Sequence, residues 1–550
     1  MENNTYRKMS FYQIWIRSFF DGNGDGIGDL YGVYEKLEYV KSLGVDGIWF
    51  SPLYPSPLAD YGYDVSDYRN IHPDYGDLDQ FKKVLDKVHE MGLLVIMDLV
   101  VNHTSDEHRW FRESRKSRHG KYADYYIWRD KPNNWDSLFD GKAWEYDDVR
   151  GQYYLHLFAK KQPDLNMDNP DVRGEVEDIM RFWLEMGVDG FREDVINFIS
   201  KQEGLPDDNP VLPAAKGMVF YKDGPHIREY LSQFRKVARE YSAFQIGEMP
   251  MTGLKQAIAY LTGEDKVLDM IFNFEHMQAD CFKTEYIHRP FSLRKLKRAF
   301  SRWQYALNDK AWNALYLENH DHPRIVSRYG SEQYQRESAT MLAVSYLFQK
   351  GTPFVYQGQE IGMTNIRLST IDEYKDISTK NNYVSYFTRA SEEKRMARIH
   401  ASSRDSSRTP VQWTDGEHAG FTTGTPWFQV NPNYKEINVQ VQENDPDSVL
   451  NFYRKCLALR KKSNTLLYGE YREYMPRHDK IYFYVRSWKN IHYLIVCNFS
   501  GSTVPVSLPR RYADKKLYPV LCNYPQTGDP SRQNALTMRP YEARVIRCRA

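Results

Sequence analysis

At 550 residues the chain exceeds one simple core and is expected to fold as two or three domains. An apolar fraction of 41% and a charged fraction of 27% describe an ordinary globular chain, and a formal net charge of +1 gives a nucleic-acid partner no electrostatic support. No uncharged apolar run approaches the roughly 20 residues that span a bilayer, because the most apolar stretch, Leu93 to Val101, is interrupted by Asp98.

The N-terminus, Met1 to Lys8, lacks the apolar centre of a secretion signal. Cys281, Cys456, Cys497, Cys522 and Cys548 are scattered and form no CxxC pair, an odd count that fits a reducing cytoplasm. The expectation is a cytoplasmic protein without membrane contact, monomeric or, as the alternative, a homodimer. An aromatic fraction of 15%, with 42 Tyr and 12 Trp, suits sugar faces as well as cores.

The first strand is expected over Phe11–Phe19. Directly after it, Asp21, Asn23, Asp25 and Asp29 place oxygen donors at alternate positions of a glycine-rich loop, with the Ile27 carbonyl among them. This spacing matches positions 1, 3, 5, 7 and 9 of a calcium loop, but Gly32 stands where the bidentate Glu of a sensor belongs. A buried structural Ca²⁺ or Mg²⁺ without a chemical role is expected, and no organic cofactor.

Three later segments share one pattern: Ser42–Phe50, Glu90–Asp98 and Glu185–Arg192 each run from a helix end through a glycine into a short apolar strand. The preceding helices are amphipathic, with Phe81, Val84, Leu85, Val88 and Met91 on one stripe and Val172, Val176, Ile179, Met180 and Trp183 on another. Strands alternating with helices imply a parallel sheet covered on both faces. Further strands over Ala243–Glu248, Asp269–Phe274, Ala314–Asn319 and Pro353–Glu360 complete eight. The expected fold class is therefore α/β, a (β/α)8 TIM barrel.

Two stretches do not fit the repeat. Residues 104–171, after strand 3, are rich in Tyr, Trp, Asp and Asn without helical period, and about 362–444, after strand 8, are polar and loop-like. Past a helix over Ser448–Lys462, short β-type runs (Ile481–Val485, His492–Cys497, Val504–Leu508) alternate with turn residues. The domain expectation is barrel from 1–103 and 172–469, an inserted subdomain at 104–171, and a C-terminal β-sandwich at 470–550.

The chemistry gathers at strand ends. Strand 3 ends in Asp98 to His103, strand 4 in Arg192-Glu193-Asp194, strand 5 in Gly247-Glu248 and strand 7 in Glu318 to Asp321. Carboxylates are depleted inside strands, and the carboxyl ends of barrel strands are where such folds keep catalytic groups. Arg192 and Asp194, two residues apart, share one strand face.

Five separated motifs, DLVVNH (98–103), QPDLN (162–166), GFREDV (190–195), GE (247–248) and NHD (319–321), resemble those of glycoside hydrolase family thirteen, the α-amylase clan. With the run Ser403 to Trp413, they most resemble its oligo-1,6-glucosidase, dextran glucosidase and isomaltase group. The resemblance spans nearly the whole chain and implies a retaining, exo-acting α-glucosidase that hydrolyses terminal α-1,6 bonds of short oligosaccharides such as isomaltose and panose. It also implies the roles. Asp194 is the nucleophile, Glu248 the acid and then the base, with a raised pKa, and Asp321 the third acid, gripping sugar hydroxyls. Arg192 keeps Asp194 ionised, His103 and His320 hold hydroxyls, Tyr63 stacks on the sugar, and Phe158 lies at the pocket mouth. Asp64 pairs with Arg404 to close the pocket at the non-reducing end. Val195 goes with α-1,6 preference, because its extra methyls narrow the leaving-group side.

Departures from the group occur at Met167, Glu193 and Met251, and the arginine-rich loop of sucrose isomerases is absent after strand 6, where Ala279 to Tyr286 stand. The substitutions leave the mechanism in place and bear on acceptor preference, and the missing loop favours hydrolysis over isomerisation. The alternatives are an α-1,4-glucosidase, a trehalose-6-phosphate hydrolase and, remotely, an inactive scaffold relative that has lost its acids.

Overall fold

Parallel pairing begins with the four short apolar strands the sequence suggests at β1 (Phe11–Ile14), β2 (Gly47–Phe50), β3 (Leu94–Leu99) and β4 (Gly190–Glu193). It continues through β5 (Phe244–Glu248), β6 (Met270–Phe272), β7 (Ala314–Leu315) and β8 (Thr352–Tyr356). This computed structural model describes residues 5–209, 215–282, 284–385, 390–525 and 535–549. The eight strands form one sheet in the order β7-β8-β1-β2-β3-β4-β5-β6. At the seam the ends of β6 and β7 are joined by side chains: Asn273 Nδ2 lies 3.4 Å from Asn313 Oδ1, and the Tyr316 hydroxyl donates to the Asn273 carbonyl at 3.1 Å. The result is the expected barrel.

Local signals explain why each unit stops where it does. The helix Pro170–Met186 starts at Asn169, whose side chain accepts from the Asp171 amide, with Pro170 in the first turn. It ends at Gly187 in the left-handed conformation (φ 115°), the backbone state that favours glycine, and β4 follows. Register then sets the chemistry, since Asp98 on β3 pairs directly with Arg192 on β4.

Several expected elements are shorter or differently built. The β1 ladder stops at Ile14 because Ile16–Ser18 winds into a 3-10 turn. The β7 ladder stops at Leu315; three residues on, Glu318 accepts from Arg324 Nη1 at 3.0 Å and from the Ile325 amide at 2.7 Å, which bends the chain into a helix. Residues 104–171 contain a three-stranded antiparallel sheet (Trp128–Arg129, Trp144–Asp147, Gln152–Leu155) and a helix (Arg109–Ser114). The stretch after β8 carries helices Ile377–Ser385 and Glu392–Ser402; Met396 and Ile399 of the second are buried with Leu368, Tyr374 and Phe428.

The C-terminal region is the expected all-β unit. A five-stranded sheet (Glu470–Tyr474, Ile481–Trp488, Ile491–Asn498, Ala543–Arg549 and, at its edge, Leu517–Cys522) faces a two-stranded ribbon, Val504–Ser507 with Ala535–Met538. Phe483, Leu494, Val496, Val506, Leu536 and Met538 fill the space between. The opposite sheet face, with Tyr482, Tyr484 and Ile495, joins the main core. Arg486 also points there, donating to the carbonyls of Phe348 at 2.6 Å and Gly469 at 2.9 Å.

Side chains alternate along β4, so Arg192 faces the barrel interior while Glu193 faces the helical layer. Glu193 is wholly buried; Oε1 accepts from Gln245 Nε2 at 2.7 Å and Oε2 has no partner. Burial raises its pKa from the ordinary 4.5 to about 7, against the pull of Gln245 and Arg235. An acid raised on folding contributes stability that is fully present below about pH 4.5 and is lost as pH climbs through about 7. Glu193→Gln is expected to raise the unfolding free energy at pH 8 by about 2–3 kcal/mol, a gain that fades toward pH 4.5. Denaturant titrations at pH 8 and 4.5 check this, and an equal gain at both would refute it.

Candidate active site

The centre of the site is one guanidinium. Arg192, 1% exposed, places Nη1 2.5 Å from Asp98 Oδ1 and 2.7 Å from Asp194 Oδ1, while Nη2 lies 2.7 Å from Glu248 Oε1. The ends of β3, β4 and β5 thus deliver three carboxyls to one cation, a planar fork suited to bridging. Trp49 and Tyr63 flank the guanidinium, with ring centroids 5.2 and 5.8 Å from its carbon.

Asp194 and Glu248 thus meet on the two arms of one guanidinium, a juxtaposition of two carboxyls that direct attack by a carboxylate requires. Val195 tightens the arrangement: its amide donates to Glu248 Oε2 at 3.0 Å. To do so Val195 adopts the left-handed conformation (φ 35°, ψ 39°), a strained state for a β-branched residue at a cost of about 1–3 kcal/mol.

Asp194 and Glu248 share the Arg192 guanidinium. Burial pushes Asp194 well above the usual carboxylate range, Arg192 opposes that, and the Glu248 charge adds to it. Asp194 receives one Arg192 bond, where Glu248 receives Arg192 and the Val195 amide. Burial also lifts Asp98 to about 6 against the same guanidinium. Its Oδ2 accepts from the Trp49 indole and the Tyr63 hydroxyl, each at 3.1 Å.

Asp321 has the opposite environment. Its Oδ1 accepts from Arg404 at 2.9 Å and Arg408 at 3.2 Å, and its Oδ2 lies 3.0 Å from His320 Nε2. Burial favours protonation there, but these partners overcome it and hold Asp321 well below the usual range. Burial lowers His320 to about 4, so the two arginines carry that effect at neutral pH. Gln13 Nε2 lies 2.8 Å from His320 Nδ1, which leaves the ring proton on Nε2, toward Asp321. His320 is fully buried and stacked under Tyr63 (centroids 5.0 Å apart, planes at 10°), so it positions Asp321 and Tyr63 and does not itself face the cavity.

A cavity of 680 Å³ opens above these groups, a size suited to a small ligand. Tyr63, His103, Phe158, Asp194, Val195, Glu248, Asp321 and Arg404, all expected at the site, line it. His103 is pushed down to about 4 by burial, and its Nε2 lies 3.0 Å from the Tyr63 carbonyl. Phe158 packs against His103 and Phe139 at the wall.

One pairing is corrected. Arg404 bonds Asp60 (Nη2 to Oδ1, 3.0 Å), not Asp64. Asp64 is fully buried and spends its oxygens on its own loop, accepting from Ser56 Oγ at 2.8 Å and from the amides of Ala59 and Asp60 at 2.8 and 3.0 Å. Those bonds fold residues 56–64 into a tight reversal that turns Asp60 inward. Only three residues separate the two aspartates, and nothing in the local pattern marks which one turns in. Arg404 is further held by Asp376, with Nε 3.0 Å from Oδ1, and Gln162 Nε2 reaches Asp60 Oδ2 at 3.3 Å. Asp60 and Asp376 were missed; Gln162, Asp98 and Arg408 stood in recognised motifs without an assigned role.

The Asp21–Asp29 loop is folded as an oxygen-rich turn. Asp21 accepts from the amides of Asn23, Gly24 and Gly26 and from the Thr422 hydroxyl; Asn23 and Asp25 accept from the amides of Asp25 and Ile27. Asp29 Oδ1 accepts from the Gly22 and Gly32 amides, and its Oδ2 is buried without a partner. Among the described residues no three His, Cys, Asp or Glu side chains converge as a metal cluster.

The description "alpha amylase, catalytic domain" fits residues 13–469, which hold the carboxyl end of every barrel strand. The chain belongs to that family. As an alpha-amylase family member it is a glycoside hydrolase. An oligo-1,6-glucosidase of Parageobacillus thermoglucosidasius is 47% identical over 561 aligned residues, covering 100% of both chains. The crystal structure of a trehalose-6-phosphate hydrolase from Bacillus licheniformis superposes with a TM-score of 0.94 at 42% identity, again over 100% of each chain. An isomaltulose synthase from Klebsiella gives 0.95 at 38% identity and the same coverage. The alpha-amylase relatives thus share the insertion and the C-terminal sheet as well as the barrel.

Proposed function

We propose that the protein is a retaining, exo-acting α-glucosidase that releases glucose from short α-1,6-linked oligosaccharides such as isomaltose and panose. The observation that carries this reading is the Asp194–Arg192–Glu248 bridge at the floor of a cavity closed on one side by Arg404 with Asp60 and Asp321. Asp194 would attack the anomeric carbon while Glu248 gives its proton to the departing oxygen; Glu248 would then take a proton from water as the water opens the glucosyl ester. Asp321 and His103 would hold the sugar hydroxyls, with Tyr63 beneath the ring. The Arg404 ion-pair cluster would block a second sugar beyond the non-reducing end, which makes the action exo.

The rival within the family is cleavage of a phosphorylated disaccharide. Among the described residues lining the cavity, six are Asp or Glu and two are Arg, and both arginines are paired, Arg302 with Glu275 at 2.9 Å and Arg404 as above. That lining supports a neutral, hydroxyl-rich substrate. Comparing kcat/KM on isomaltose, maltose and trehalose 6-phosphate tests the choice: isomaltose is expected to lead, and faster cleavage of either of the others would displace it.

Val195, 8% exposed on the cavity wall, supports the linkage preference. Val195→Ala is expected to move the isomaltose-to-maltose ratio toward maltose by about 1–3 kcal/mol, roughly 10-fold or more. An unchanged ratio would reduce Val195 to packing.

We also infer that the Asp21–Asp29 loop takes a structural Ca²⁺ or Mg²⁺. The unpartnered Asp29 Oδ2 beside the Asp21 carboxylate supports this, with Asn23, Asp25 and the Ile27 carbonyl as further donors. A chelator is expected to lower the melting temperature and added Ca²⁺ to restore it; a melting curve indifferent to both would remove the ion. Five free cysteines, four of them buried, support a cytoplasmic location, and among the described residues no helix is long and apolar enough to cross a membrane.

A further inference from the structure

Beyond the catalytic carboxyls, a second ionic cluster opens on the same cavity and has no part in the chemistry above. Glu285 lies on the strand Thr284–His288, in the hairpin that follows β6, and its side chain is 19% exposed. His322, next to Asp321 in sequence but 4% exposed at the side chain, brings Nδ1 within 2.7 Å of Glu285 Oε1. Arg328 Nη1 stands 3.5 Å from the same oxygen. Arg328 is shared, since it also donates to Asp280 through Nε at 2.9 Å and Nη2 at 2.7 Å. The His322 ring is wedged against Phe274 and Tyr316, with centroids 5.4 and 6.1 Å away, so the imidazole is fixed and Glu285 with it. Glu285 and His322 both line the cavity, along with Glu275 and Trp303 on the same side.

We propose that Glu285, oriented by His322, is the specificity-determining residue for the leaving sugar: it accepts hydrogen bonds from that sugar's hydroxyls and repels an anionic one. A carboxylate has acceptor capacity only, so it suits hydroxyl donors and opposes phosphate by like charge. Arg328 is shared with Asp280, so two carboxylates face the one guanidinium and the wall at Glu285 keeps an excess of acceptor oxygen. Glucose departs as a neutral polyol and fits this wall; glucose 6-phosphate does not. The inference rests on the glucosidase reading and names the group that keeps phosphorylated disaccharides out.

The test compares wild type, Glu285→Gln and His322→Gln. Each is assayed on whichever glucose disaccharide the wild type cleaves fastest and on 4-nitrophenyl α-glucoside, whose leaving group carries no sugar hydroxyls. Glu285→Gln is expected to lower the disaccharide-to-aryl ratio of kcat/KM at least tenfold, mainly through KM. It should also tighten competitive inhibition by trehalose 6-phosphate at least tenfold. His322→Gln, which frees the carboxylate without removing it, should lower the ratio in the same direction by less. A ratio and an inhibition constant both within twofold of wild type in Glu285→Gln overturn the proposal. Should that variant not fold, an unchanged ratio in His322→Gln overturns it equally. A wild type that cleaves no glucose disaccharide would instead sink the glucosidase reading itself.

Discussion

Replacing Asp194 by Asn is expected to lower kcat on every α-glucoside by at least about 10⁴-fold while the melting temperature stays near that of the wild type. Asn keeps the shape and still accepts from Arg192 Nη1 through its carbonyl, so the bridge survives in part. What it lacks is a negative oxygen to bond the anomeric carbon. Because burial and Glu248 act together to raise Asp194, removing the charge also relieves a repulsion, and the variant should be no less stable than the parent. Activity within tenfold of wild type would place the nucleophile elsewhere.

The second large effect belongs to Arg192. Arg192→Met is close in volume but leaves Asp98, Asp194 and Glu248 without the cation they share. Breaking a buried ion cluster by removing one partner typically costs about 3–5 kcal/mol, because charges remain unpaired or must bind protons. Turnover at neutral pH is expected to fall by about 10³-fold or more, since Asp194 loses the cation that opposes the effect of its burial and favours the attacking carboxylate. Arg192→Lys should restore charge but not the fork that spans two carboxyls, and so recover stability more than rate. Denaturant unfolding and kcat, read on both variants, check this. A Met variant as stable and within tenfold as active as wild type would show that the cluster does not depend on the guanidinium.

What the sequence disclosed follows a physical pattern. Asp98, Asp194 and Glu248 were legible because acids are rare in apolar strands and three strand ends carried them at equivalent positions. The barrel itself was legible from helix periodicity ended by glycine. The rim was not, because it is assembled by loops far apart in the chain. Arg408 meets Asp321 across 87 positions, and Arg404 meets Asp60 across 344. Glu193 read as a departure without a place, and only the pleat of β4 shows that it leaves the cavity and lies under the helices. The helix Glu392–Ser402 escaped notice because only Met396 and Ile399 mark its apolar face amid Glu, Lys and Arg.

The account depends on a carboxylate reaching the sugar carbon directly, which fixes the stereochemistry of the product. Following the first minutes of hydrolysis of 4-nitrophenyl α-glucoside, whose only sugar product comes from the cleaved anomeric centre, by proton NMR reads it before mutarotation intervenes. Two displacements, first by Asp194 and then by water, predict α-glucose as the first product. β-Glucose appearing first would mean that water attacks alone, and that the Asp194–Glu248 pair does not act as described.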